Sequence, residues 1–148
     1  MGETPPPAEL LLVEDNPDDL ELILRSLSRP PFQGRVFAVR DGAEALDFLF
    51  GTGIYASRAG NPPPKVILLD LKLPKVTGKE VLKRVRSDER LRRVPVVILT
   101  SSRQERDVAE SYALGANSYV VKPVRFDELS RVIGQTGLYW TQFNHPAA

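Results

Sequence analysis

Four short apolar runs govern what this chain can fold into: Leu10-Leu11-Leu12-Val13, Val66-Ile67-Leu68-Leu69, Val96-Val97-Ile98-Leu99 and Tyr119-Val120-Val121. None alternates polar with apolar, so each reads as a strand covered on both faces, as in a parallel sheet between helices. Val36 to Val39 gives a fifth, weaker strand nearer an edge. Helical spacing fills the gaps: Leu20, Ile23, Leu24 and Leu27 share one face, as do Val81, Leu82 and Val85. Strand then helix, five times over, implies a five-stranded parallel sheet with right-handed crossovers and helices on both faces.

The punctuation agrees. Asn16-Pro17-Asp18-Asp19 supplies a cap, a proline for the first helical position and acids for the first turn. Asp41 with Glu44, and Thr77 with Glu80, have capping-box spacing. Gly115 falls where the fourth helix wants a left-handed residue. Residues 51–64 break the rhythm with three glycines and Pro62-Pro63-Pro64, which reads as a long loop insertion. The division expected is a flexible N-terminus over 1–8, one domain over 9–134, and a C-terminal helix extension or arm over 135–148. At 148 residues a second domain with its own core is not expected.

Composition narrows the chemistry. The chain has no cysteine, and its one histidine is His145, so thiol nucleophiles, thiolate metal sites and histidine-based triads are excluded. A net charge of +1 gives no case for nucleic acid or a membrane surface, and Arg90, Arg92 and Arg93 read as a solvated helix end. The N-terminal residues do not resemble a secretory signal, and no apolar run is long enough to span a bilayer. A cytoplasmic protein is expected.

What remains is carboxylate, hydroxyl and lysine, and these stand at the strand ends. The first run ends in Glu14-Asp15, the third strand in Asp70, the fourth in Thr100 and the fifth in Lys122-Pro123. In an open parallel sheet the carboxyl ends of the strands line one crevice, so the five side chains should meet. Three crowded carboxylates raise one another's pKa unless a cation joins them, and an all-oxygen set favours Mg²⁺ or a similar hard ion such as Mn²⁺. Asp70 can then attack phosphorus to form an acyl phosphate, while Lys122 meets the phosphoryl charge and Thr100 donates a hydrogen bond. As simple alternatives, Glu14-Asp15 could only cap a helix, and Asp18, Asp19 and Glu21 read as helix-start acids.

Taken together, Leu11-Leu12-Val13-Glu14-Asp15-Asn16, Leu69-Asp70-Leu71-Lys72-Leu73-Pro74 with Gly78, Pro95 to Thr100, and Gly115-Ala116 through Tyr119 to Lys122-Pro123 resemble the receiver domains of two-component response regulators. That resemblance implies a flavodoxin-like (βα)5 fold with strand order 2-1-3-4-5, for which a member of this family is the standard illustration. It implies Asp70 as phosphoacceptor, Glu14 and Asp15 as the acidic pair, and the Lys72 backbone carbonyl as a further metal ligand. It also implies a cis Lys122-Pro123 peptide bond and Tyr119 as the switch aromatic that answers Thr100. Such a protein catalyses its own phosphorylation and dephosphorylation only.

The insertion, Leu73-Pro74-Lys75, and a C-terminus bearing Trp140, Asn144 and Pro146 resemble the small regulators paired with phytochrome-type histidine kinases. A bacterial phytochrome kinase, a downstream phosphotransfer protein and a homodimer are the partners this implies. Leu138, Tyr139, Trp140 and Phe143 are too apolar for a free tail, and a dimer arm would bury them. No DNA-binding output domain is expected after the fifth helix. Three other functions set the tests: a pseudo-receiver that only binds partners, a haloacid-dehalogenase-type phosphatase, and a flavodoxin-like cofactor binder. The phosphatase class wants an aspartate where Lys72 stands, and no phosphate-cradling glycine loop follows the first strand.

Overall fold

The computed structural model describes residues 8–147. The N-terminal segment expected to be flexible, Ala8 apart, lies outside the described residues. The elements alternate: β1 (Leu10–Val13), α1 (Pro17–Leu27), β2 (Val36–Val39), α2 (Gly42–Phe50), β3 (Val66–Leu69), α3 (Gly78–Ser87), β4 (Val96–Thr100), α4 (Glu105–Ala113), β5 (Ser118–Val121) and α5 (Phe126–Leu138). The strands are all parallel, in the order β2-β1-β3-β4-β5 that the resemblance implies.

Because side chains alternate across a strand, each apolar run feeds two cores. Leu11, Val13, Ile67, Leu69 and Ile98 face α2 and α3, meeting Phe48, Leu49, Val81, Leu82 and Val85. Leu10, Leu12, Leu68, Val97 and Leu99 face α1 and α5, meeting Ile23, Leu27, Leu129 and Ile133. Burying each such side chain is worth about 1.5–3 kcal/mol, so the central strands fix the register. β5 departs from the expectation. All four of its residues are only half-buried, because β5 lies at the edge of the sheet with β4 as its single neighbour.

The caps form as read. Asn16 Oδ1 accepts from the backbone N–H groups of Asp18 and Asp19, both at 3.0 Å. Asp41 accepts from Glu44 N at 2.7 Å, and Thr77 from Glu80 N at 3.2 Å. Gly78 is fixed by a close approach: a Cβ there would stand 2.2 Å from the carbonyl oxygen of Asp70. This lets α3 start directly behind the loop after β3.

Within the 51–64 insertion, Gly53–Arg58 forms a short 3₁₀ segment. Tyr55 anchors it, packing edge-on against Phe37 and Phe48 and donating to Glu44 Oε2 at 2.6 Å. At the other end, α5 runs into a wider π-helical turn over Tyr139–Phe143. Trp140 packs against the α1–α5 core, whereas Tyr139 and Phe143 are exposed. Among the described residues no helix is long and apolar enough to cross a membrane.

Candidate phosphoacceptor site

Register brings the strand-end residues together. Asp70 N donates to Val13 O at 3.1 Å, setting Asp70 beside the Glu14-Asp15 pair, and Lys122 N donates to Thr100 O at 2.8 Å. Glu14, Asp15 and Asp70 each offer a carboxylate oxygen, all within 4.8 Å of one another, and can together hold a metal ion. An all-oxygen set of this density suits a hard divalent cation. The cleft above them, about 380 Å³, is lined by Asp15, Asp70, Lys72, Thr100 and Lys122, with Asn16, Pro17, Asp19 and Ser101.

Lys122 sits at the centre. Its Nζ lies 2.6 Å from Glu14 Oε1, 3.0 Å from Asp70 Oδ2 and 3.0 Å from Asp19 Oδ2. Burial works against its charge, but the hydrogen bond to Glu14 and the charges of Asp70 and Glu14 outweigh it and hold the ammonium above its ordinary range. For Glu14 the balance falls the other way. Burial pushes its carboxyl up to about 7, with Asp70 adding to the rise, against the lowering pull of Lys122. The pocket therefore holds more negative charge than one ammonium neutralises, which is the condition that calls for a cation.

Thr100 is buried, and its Oγ accepts from Ser102 N at 3.5 Å. Tyr119 is half-buried and donates to the Ser102 carbonyl at 2.9 Å. Lys72 has an exposed side chain; its backbone N–H approaches Asp70 Oδ1 at 3.4 Å. Lys122-Pro123 is not cis: the one cis peptide bond among the described residues is Pro30-Pro31. The lysine's long side chain spans from the end of β5 to the carboxylates with an ordinary trans link.

Two features escaped sequence reasoning. Asp19 reaches Lys122 and is not merely a helix-start acid; the sequence alone does not separate it from its neighbour Asp18. Ser102 Oγ hydrogen-bonds to Asp107, which also meets Lys79 at 2.7 Å, tying the loop after β4 to α3.

These observations define an acidic, lysine-bearing cleft at the carboxyl ends of a doubly wound sheet, and comparison with known proteins gives the class. The response regulator receiver domain family matches residues 10–134, and the chain belongs to that family. Among its relatives, the probable methanogenesis regulatory protein FilR2 of Methanothrix harundinacea is 42% identical over 96% of this chain and 89% of its own. Response regulator Rcp1 of Synechocystis is 37% identical over 95% and 93%. The phosphorylated cyanobacterial phytochrome response regulator RcpA superposes with a TM-score of 0.86 at 37% identity, covering 95% of this chain and 99% of that one. The Mn(2+)-bound form of Rcp1 gives 0.86 at 36%, covering 96% and 100%. The bacteriophytochrome response regulator RtBRR gives 0.74 at 51%, covering 95% and 84%. The group resembled in sequence is thus the group found by comparison. Family membership sets aside the phosphatase and cofactor-binder alternatives.

Proposed function

We propose that the chain is a single-domain response regulator whose Asp70 takes a phosphoryl group from a histidine kinase, in a phytochrome-linked light-sensing pathway. The observation that carries this reading is the position of Lys122 Nζ, 3.0 Å from Asp70 Oδ2, in a cleft where Glu14 and Asp15 bring their oxygens within 4.8 Å of Asp70. An oxygen of Asp70 attacks phosphorus, the bond from phosphorus to the kinase histidine breaks, and the imidazole leaves. Lys122 meets the charge on the phosphoryl oxygens as it builds. Glu14, Asp15, Asp70 and the Lys72 carbonyl would hold Mg²⁺ or Mn²⁺, which when bound would supply further positive charge; that the Rcp1 relative has a Mn(2+)-bound form supports a divalent metal here. The protein acts on its own Asp70 and turns over no other substrate.

The signal leaves through packing. Thr100 moves to donate to the phosphoryl group, its contact with Ser102 N loosens, and Tyr119, now held at the Ser102 carbonyl, turns inward. Thr100→Ala should accept phosphoryl yet lose the change in the near-ultraviolet spectrum around Tyr119; a full wild-type change would refute the coupling. Tyr139 and Phe143, exposed beside a half-buried Trp140, support a homodimer through the C-terminal turn. The domain spans 9–134, with the protein in the cytoplasm and a phosphotransfer protein downstream.

Labelled phosphotransfer from purified phytochrome-type histidine kinases tests the reading. Wild type should take label in Mg²⁺ and Asp70→Asn should take none. A wild type that stays unlabelled and gives no response to beryllofluoride is a pseudo-receiver.

A further inference from the structure

Lys122 is held by more anions than the reading above requires. An ammonium has three hydrogen-bond donors, and here three carboxylates surround it: Glu14, Asp70 and Asp19. Glu14 and Asp70 are strand-end residues with side chains 1% and 9% exposed, whereas Asp19 comes from the first turn of α1 and is 31% exposed. Asp19 therefore stands on the solvent side of the ammonium, at the wall of the same cleft. Its neighbour Asp18 shares the cap made by Asn16 Oδ1 but is exposed. One helical step of about 100° separates them, so one acid faces the cleft and the other faces water.

A phosphoryl group on Asp70 inherits the donor that Asp70 Oδ2 accepts, and a second donor has to come from Glu14 or Asp19. Glu14 is buried and has no water to turn to. Asp19 can turn to water, so it is the partner given up. Its charge then remains close to a group that carries nearly two negative charges. We propose that Asp19 is a positioning residue for Lys122 that competes with the phosphoryl group for the ammonium, and thereby weakens phosphoryl retention on Asp70. This rests on the reading of Asp70 as phosphoacceptor.

The test compares Asp19→Asn with Asp18→Asn in the full chain, in Mg²⁺, by beryllofluoride titration and by loss of label from phosphorylated Asp70. Asp19→Asn should bind beryllofluoride more tightly and lose phosphoryl more slowly, each by roughly twofold to fivefold, the range expected for a partly exposed ion pair. Asp18→Asn should match wild type in both, although each variant removes one first-turn acid. Equal behaviour of the two variants, or weaker beryllofluoride binding by Asp19→Asn, overturns the inference while leaving the phosphoacceptor reading standing. A wild type that ignores beryllofluoride overturns both.

Discussion

Lys122 and Lys79 each draw carboxylates from other elements toward one ammonium, but burial separates what the two clusters can do. Lys79 on α3 meets Asp107 and Glu110 of α4, both at 2.7 Å, with the three side chains 27%, 18% and 40% exposed. There the contacts with Lys79 and Ser102 hold Asp107 below its ordinary range, and Lys79 with Arg106 does the same for Glu110. At Lys122, burial dominates and drives Glu14 upward. Where water shares the charges, each partner settles into its ionised form. Where water is excluded, charge is left over, and an incoming ion or phosphoryl group can use it.

The largest expected break in this comparison comes from removing each ammonium. Lys122→Met should destabilise the metal-free protein by about 3–5 kcal/mol at pH 8, because buried carboxylates lose their cation, and should abolish the beryllofluoride response. Denaturant unfolding with and without Mg²⁺ checks this, and added Mg²⁺ should recover part of the loss. Next comes pH. Glu14 is raised from 4.5 to about 7, so between those values the folded protein keeps a proton that the unfolded chain gives up. Its contribution therefore strengthens as pH falls through that window, by at most about 3 kcal/mol. The difference in stability between wild type and Glu14→Gln, followed from pH 8 to pH 4.5 without metal, should show it. Asp107 and Glu110 have the opposite sign: their contribution is intact above the ordinary carboxylate range and disappears on acidification below it.

A third test adds the ion. Mg²⁺ at a hundredfold excess over its Kd should stabilise wild type by about 2.7 kcal/mol, and Asp15→Asn should lose most of that gain in a thermal melt. The smallest effect falls on Lys79→Met, which should cost less than about 1 kcal/mol, as exposed ion pairs do, and leave Mg²⁺ affinity unchanged. A large loss of Mg²⁺ binding in that variant would mean the two clusters are one unit.

The site was legible in sequence because register does the work. Once four runs are strands of one parallel sheet, Glu14, Asp15, Asp70, Thr100 and Lys122 follow at their ends with no knowledge of distances. Features set by contacts across the sequence were not legible. The half-burial of β5 depends on its place at the sheet edge, which the run Tyr119-Val120-Val121 does not encode. The 3₁₀ segment in the insertion depends on Tyr55 finding Phe37, Phe48 and Glu44. Asp19 read only as a helix-start acid by position, because its contact with Lys122 is set by which way that helix face turns. The cis bond expected before Pro123 came by resemblance alone, and the local geometry does not require it.

The π-helical turn after α5 has an optical consequence. Trp140 is the chain's single tryptophan, and this turn places it against the α1–α5 core. Lys65, just ahead of β3, donates to the Thr141 carbonyl at 3.3 Å, so the indole lies at the end of the sheet remote from Asp70. Its fluorescence is thus a built-in gauge of how far a disturbance travels: silent while events stay in the acidic cleft, and altered once they have run the length of α5.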